Sequence, residues 1–336
     1  VYQGTELAIA EMLLGGTTCF ADMYFFPDAV AKAATNAGIR VQLTCPILDF
    51  PTAWAQNADE YIHKATKLHD DFRNSELVFT AFGPHAPYTV SDEPLRKVAI
   101  LAEELDIPVH MHVHETAEEV ANAVVSTSSR PLKRLQELNL LGPRFVCVHA
   151  TQLEQDEINT LSHHGVHIVH CPESNLKLAS GFCEVKKLLD AGVNVALGTD
   201  GCASNNDLDM ISEMRTTALL AKAVSEDASA LTAYEALEMA TRSGARALGL
   251  DHEIGSIEIG KYADLTAICM HNINTTPMYN PISQLVYSAN ASQVTDVWIA
   301  GKEIVKNREL QTVEFRGVAE QTRAWQERIA RFQVEN

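Results

Sequence analysis

Pro108-Val-His-Met-His-Val-His-Glu-Thr116 is the stretch whose reading decides the fold. Side chains on a β-strand alternate between faces with period 2, so Val109, Met111 and Val113 share one face and His110, His112 and His114 the other. Glu115 breaks this parity, which places it where the strand ends and the backbone can turn its carboxylate back toward the histidines. An apolar strand that carries three imidazoles and a carboxylate at its tip is costly to bury unless something binds them. Neutral imidazole is the commonest protein ligand of divalent metals, and a metal ion is what this set points to. His110 lies deeper than His112 and reads as a hydrogen-bonded core residue, whereas His114 stays open between ligand and core.

Working outward, the same strand logic recurs. Thr17–Met23, Arg40–Leu48, Leu77–Gly83, Arg144–Thr151, Val166–Cys171 and Asn194–Gly198 read as strands. Between them run helical segments at 28–36, 57–72, 91–105, 132–138, 156–163 and 183–191, with another near Glu118. Mostly apolar strands alternating with helices are the mark of parallel βαβ units covered on both faces. Ligand-type residues close at least four of the seven strands: His85, His112 with Glu115, His149 and Asp200. A (β/α)8 TIM-type barrel gathers its site from the C-terminal ends of different strands around one mouth. A doubly wound sheet would usually offer a Gly-rich phosphate loop, and none is present. Helices are expected at 209–224 and 233–248.

Beyond Gly249 the texture changes. Ile254 to Ile268 alternates and is broken by glycines, like short strands, and Val294 to Val305 reads as a hairpin around Gly301. Such a unit is too small to hold a core alone. The division expected is a metal-dependent barrel over 1–250, the C-terminal part of a composite β-sandwich over 251–312, and a terminal amphipathic helix over 313–336.

Bulk properties narrow the function. With 336 residues, 46% hydrophobic and 21% charged, the chain has ordinary globular composition. A formal net charge of -18 disfavours nucleic acid and anionic membranes as partners. No apolar run approaches the roughly 20 residues that span a bilayer. The seven cysteines form no C-x-x-C pair and sit mostly in apolar segments, which fits reduced thiols in a cytoplasmic protein.

Taken together, Gly15-Gly-Thr-Thr-Cys-Phe-Ala-Asp22, Gly83-Pro-His-Ala-Pro-Tyr88, His110-Met-His-Val-His-Glu115, Val148-His-Ala150, His170-Cys-Pro-Glu-Ser-Asn175, Gly198-Thr-Asp-Gly-Cys-Ala-Ser-Asn205 and Gly260-Lys-Tyr-Ala-Asp264 resemble the amidohydrolase superfamily. Within it they resemble the branch of methylthioadenosine/S-adenosylhomocysteine deaminases and triazine hydrolases. The resemblance implies one zinc ion per chain, with iron or manganese as fitting substitutes. It implies that His112 and Asp200 are metal ligands, that Glu115 is the proton shuttle, and that His149 faces the attacking water. It makes Glu115, His149 and Asp200 the catalytic set. His85 would contact the nucleoside, Glu115 the purine ring, and Ser204 and Asn205 the purine or its sugar. A homodimer is the assembly it suggests.

One departure stands out. The family carries two further metal ligands as His-x-His on a first strand, and no such motif precedes the opening helix here. An N-terminal segment supplying that strand, those ligands and the rest of the sandwich is therefore expected upstream of Val1. The leading expectation is a zinc-dependent deaminase of an adenosine-type nucleoside. The alternatives are a chlorohydrolase or aminohydrolase of a triazine or free purine base, and an inactive fragment or binding module lacking the strand-one ligands.

Overall fold

The computed structural model describes residues 1–335. Seven parallel strands form one sheet in sequence order: β1 (Cys19–Asp22), β2 (Arg40–Ile47), β3 (Val78–Pro84), β4 (Val109–Val113), β5 (Phe145–His149), β6 (His167–His170) and β7 (Asn194–Leu197). Each strand pairs with the next, and helices fill the intervals, which is the wall of a (β/α) barrel. Among the described residues β1 and β7 are the two ends of this sheet. All strand tips therefore lie at one rim, and whatever they carry is brought together there.

The period-2 reading explains the packing. In β2 every residue is buried, yet Val41, Leu43, Cys45 and Ile47 join the apolar core while Arg40, Gln42 and Thr44 alternate with them. The apolar face packs against helices such as Ala58–Phe72, whose N-cap Asn57 accepts the Glu60 N–H at 3.0 Å. Burial of this kind stabilises by about 25 cal/mol per Å2 of apolar surface.

A second, antiparallel sheet has the order β11-β10-β9-β8, built from β8 (Leu265–Ile268), β9 (Val294–Ile299), β10 (Lys302–Lys306) and β11 (Glu309–Leu310). The hairpin expected around Gly301 is β9–β10. The strands expected from 254 onward reduce to β8 alone. Gly255 and Gly260 have φ of +89° and +98°, a left-handed backbone that turns the chain instead of extending it. The terminal helix Phe315–Glu335 packs against the opening helix Tyr2–Leu14.

Two further expectations are corrected. The segment 233–248 is two helices, Ala233–Met239 and Arg242–Ala247. Thr241 leaves the helical basin at φ -128°, ψ -88°, while its hydroxyl donates to the Leu237 carbonyl at 2.7 Å. In the deciding stretch, β4 ends at Val113, and His114 adopts φ +56°. That left-handed residue swings its imidazole off the His110–His112 face. His114 is fully buried, and its Nε2 accepts the Leu132 N–H at 3.3 Å.

Candidate active site

The turn that ends β4 builds the centre of the site. Thr116 caps the helix Ala117–Thr127 by accepting the Glu119 N–H at 3.1 Å. Glu119 reaches back, and its two carboxylate oxygens accept the N–H groups of His114 at 3.0 Å and Glu115 at 2.7 Å. Backbone groups freed by the strand end are thus satisfied, and Glu115 is held at a fixed place on the rim. Its carboxylate comes within 3.9 Å of His149 Nε2 at the tip of β5.

His112 lies between neighbours on both sides. Its ring centre is 5.2 Å from that of His85 and 5.4 Å from that of His149, the latter pair stacked. His112 Nδ1 is 2.8 Å from the His85 carbonyl oxygen, a pure acceptor, so Nδ1 carries the proton and Nε2 keeps a free lone pair. Burial, then the neighbouring His149, holds the His112 pKa below the ordinary value and keeps the ring neutral.

His149 is oriented from behind. Its Nδ1 lies 2.9 Å from Asn175 Oδ1, so the neutral ring carries its proton on Nδ1 and leaves Nε2 toward Glu115. His149 sits at φ +74°, a conformation costing of order 1–3 kcal/mol that persists only where the surroundings impose it.

Asp200 follows β7. Its Oδ2 accepts the hydroxyls of Ser174 at 2.7 Å and Ser204 at 2.6 Å, and its Oδ1 accepts the Gly201 N–H at 2.8 Å. Burial raises its pKa, but the Ser204 and Ser174 hydroxyls and the Gly201 amide outweigh it, and the carboxyl sits below its ordinary range. Asp200 is therefore an anion at neutral pH.

The remaining candidates are placed as follows. The His85 ring is pinned through Nδ1 to the Thr89 hydroxyl at 3.1 Å, and burial followed by His112 lowers its pKa to about 4. Ser204 touches Asp200. Asn205 is buried, and its Nδ2 donates to the Thr199 carbonyl at 2.8 Å and to Glu213 Oε1 at 2.6 Å. Both amide hydrogens are thus directed at the protein's own acceptors, beneath the loop. His110 is half-buried, its Nδ1 lies buried without a hydrogen-bond partner, and its pKa is lowered to about 3 by burial, then by His112 and His149. Ser174 and Asn175 had no role assigned from sequence. Their position directly after β6, in His-Cys-Pro-Glu-Ser-Asn, was the available signal.

His112 and Asp200 suit a zinc ion. A neutral imidazole whose distal N–H is held by a carbonyl and an ionised, hydrogen-bonded carboxylate are the donor types and supporting contacts that zinc ligands show. The two are close enough for the Asp200 charge to act on His112. Among the described residues no group of three or more His, Cys, Asp or Glu side chains converges in metal-holding geometry.

Comparison with known proteins agrees with this picture. The amidohydrolase family model matches residues 1–304. The chain is 51% identical over 329 residues to a 5-methylthioadenosine/S-adenosylhomocysteine deaminase of Teredinibacter turnerae, covering 98% of this chain and 74% of that protein. It superposes with a TM-score of 0.97 and 53% identity on the crystal structure of an adenosine deaminase from Xanthomonas campestris with bound zinc, covering 98% of this chain and 75% of that one. An atrazine chlorohydrolase from Arthrobacter aurescens shares the fold, with a TM-score of 0.91 at 24% identity over 96% of this chain and 76% of that one. The strand order, the rim-borne carboxylates and imidazoles and these matches lead to one assignment: the chain belongs to the amidohydrolase family.

Proposed function

We propose that the chain carries the chemistry of a zinc-dependent aminohydrolase acting on methylthioadenosine or S-adenosylhomocysteine. Water replaces the 6-amino group of the adenine ring, giving the inosine analogue and ammonia. The observation that carries the reading is the convergence of His112, Glu115, His149 and Asp200 on one rim, in a chain about half identical to deaminases of these nucleosides.

His112 Nε2 and Asp200 would hold the metal. When bound, zinc lowers the pKa of water to about 7 and so supplies a hydroxide nucleophile. The protein's own groups do the rest. Asp200, kept ionised by two hydroxyls and an amide, accepts the proton of the attacking water. Glu115 delivers a proton to the ring nitrogen beside the reacting carbon. His149 Nε2, its lone pair free, accepts a hydrogen bond from the attacking water and holds it in place. One C–O bond forms and one C–N bond breaks: the departing amine takes the proton that Asp200 removed from water, and the remaining proton of the added oxygen returns to Glu115. Help of this general acid–base kind is typically worth ~10²–10⁴-fold.

His85 and Ser204 are assigned to the nucleoside, His85 through its free Nε2. Asn205 is assigned to holding the loop. In this reading residues 1–250 carry the chemistry, and 251–312 with 313–336 brace the wall. No helix among the described residues is long and apolar enough to cross a membrane. A cytoplasmic homodimer is the form in which we would expect the enzyme to work, and all seven cysteines are free thiols.

A substrate panel with the zinc-loaded protein tests the reading. Methylthioadenosine or S-adenosylhomocysteine should be turned over faster than adenine, guanine or a chlorotriazine. Faster release of chloride, or faster turnover of a free base, would replace it.

A further inference from the structure

We propose that Glu213 is a positioning residue, a buried carboxyl that ties together the loop after β7 and the short helix Pro172–Lys177 after β6, whose residues hold Asp200 and His149. The inference rests on the aminohydrolase reading for its kinetic consequence but not for its geometry.

Glu213 lies on the helix Met210–Ser225, outside the rim, and is completely buried. Its Oε1 accepts Asn205 Nδ2 at 2.6 Å, and its Oε2 accepts the Glu173 N–H at a longer 3.4 Å. Those two donors belong to different segments, the loop after β7 and the first turn of the helix Pro172–Lys177 after β6.

The first link governs Asp200. Asn205 uses its second amide hydrogen on the carbonyl of Thr199, the peptide directly before Asp200. Asp200 itself has φ +59°, a conformation that a non-glycine residue keeps only when its neighbours impose it. Glu213 orients the amide that fixes this peptide.

The second link governs the partners of both catalytic groups. Glu173 is followed by Ser174, which donates to Asp200 at 2.7 Å, and by Asn175, which pairs with His149 at 2.9 Å. Three consecutive residues thus make one bond back to Glu213 and two forward to the site. The Glu173 side chain is occupied elsewhere, accepting the hydroxyls of Ser212 at 2.5 Å and Thr216 at 2.7 Å on the Glu213 helix. An apolar residue at 213 would leave two donors without their acceptor.

Burial, then the Glu173 charge, pushes Glu213 up to about 8, so a neutral amide imitates its state at neutral pH. This gives the test its control. Glu213→Leu and Glu213→Gln would be compared in the full-length protein by zinc affinity in a chelator competition, kcat and KM for methylthioadenosine, and thermal midpoint. With Glu213→Leu the proposal expects zinc affinity and kcat to fall by about 10–100-fold, the range found when groups supporting a metal ligand are removed. KM should change by less than about 3-fold, and Glu213→Gln, which keeps an acceptor for Asn205 but cannot accept the Glu173 N–H, should recover part of both losses. A structural role alone would lower the thermal midpoint of Glu213→Leu and leave zinc affinity and kcat per folded site at the wild-type level, and that outcome overturns the proposal. If Glu213→Leu does not fold, Asn205→Ala cuts the same link from the loop side and carries the same two outcomes. If the wild type turns over no nucleoside, the function reading fails, and zinc affinity alone decides the role of Glu213.

Discussion

The hydroxyl of Ser174, in the short helix Pro172–Lys177 after β6, donates to Oδ2 of Asp200, on the loop after β7, at 2.7 Å. Ser204 supplies a matching bond to the same oxygen at 2.6 Å. Both segments therefore contribute to the charge state of one carboxylate. Ser174→Ala should weaken zinc binding by about 10-fold or more, as loss of a group supporting a metal ligand does. Chelator competition reads this directly, and unchanged affinity would mean that Ser204 and Gly201 suffice.

In the proposed mechanism Glu115 carries the proton, and Glu115→Gln would remove that carrier while keeping the shape. Turnover should fall by ~10²–10⁴-fold while zinc content and the circular dichroism spectrum stay as in wild type. Wild-type turnover in this variant would reassign the proton transfer to His149.

The first strand-tip motif was readable from sequence because strand periodicity is rigid. His112 and Glu115 follow from counting residues along an apolar run. The alternation of strands and helices likewise announced the barrel wall. His114 escaped the same count, because its left-handed backbone obeys the Glu119 cap and not the strand. Ser174, Asn175 and Glu213 escaped for another reason. Their side-chain hydrogen bonds join segments far apart in sequence, and nothing periodic marks such contacts. Asn205 sits in a motif that implied a ligand, yet its amide faces Thr199 and Glu213.

The small sheet is fastened to the barrel by an ion pair. Arg40 of β2 meets Asp264 through Nε–Oδ2 at 3.0 Å and Nη2–Oδ1 at 3.1 Å, with the two side chains 0% and 2% exposed. Asp264 Oδ1 also accepts the Ala300 N–H of the hairpin at 2.8 Å. Asp264→Ala leaves the guanidinium buried without its partner and should destabilise the fold by about 3–5 kcal/mol. Urea unfolding measures it, and a loss under about 1 kcal/mol would show that the pair is solvated or replaceable.

Glu213 should impose a pH dependence on stability. Its carboxyl has a raised pKa, from 4.5 to about 8, when folded. Between these values the folded state holds a proton that the unfolded chain releases. The contribution is therefore fully present below pH 4.5 and is lost as pH rises through about 8, at a slope of up to about 1.4 kcal/mol per pH unit. Glu213→Gln removes this dependence. The difference in unfolding free energy between wild type and Glu213→Gln, followed from pH 5 to 9, should move in favour of the variant. A difference constant with pH would mean that Glu213 is ionised in the native state.

The central claim is hydrolytic replacement of the adenine 6-amino group. It is tested most directly by incubating the zinc-loaded protein with methylthioadenosine or S-adenosylhomocysteine in ¹⁸O-labelled water. The account predicts one ammonia per nucleoside consumed and an inosine analogue carrying a single ¹⁸O on the ring carbon that held the amine. A folded, zinc-loaded protein that releases no ammonia from either nucleoside, or a product without the label, would contradict it.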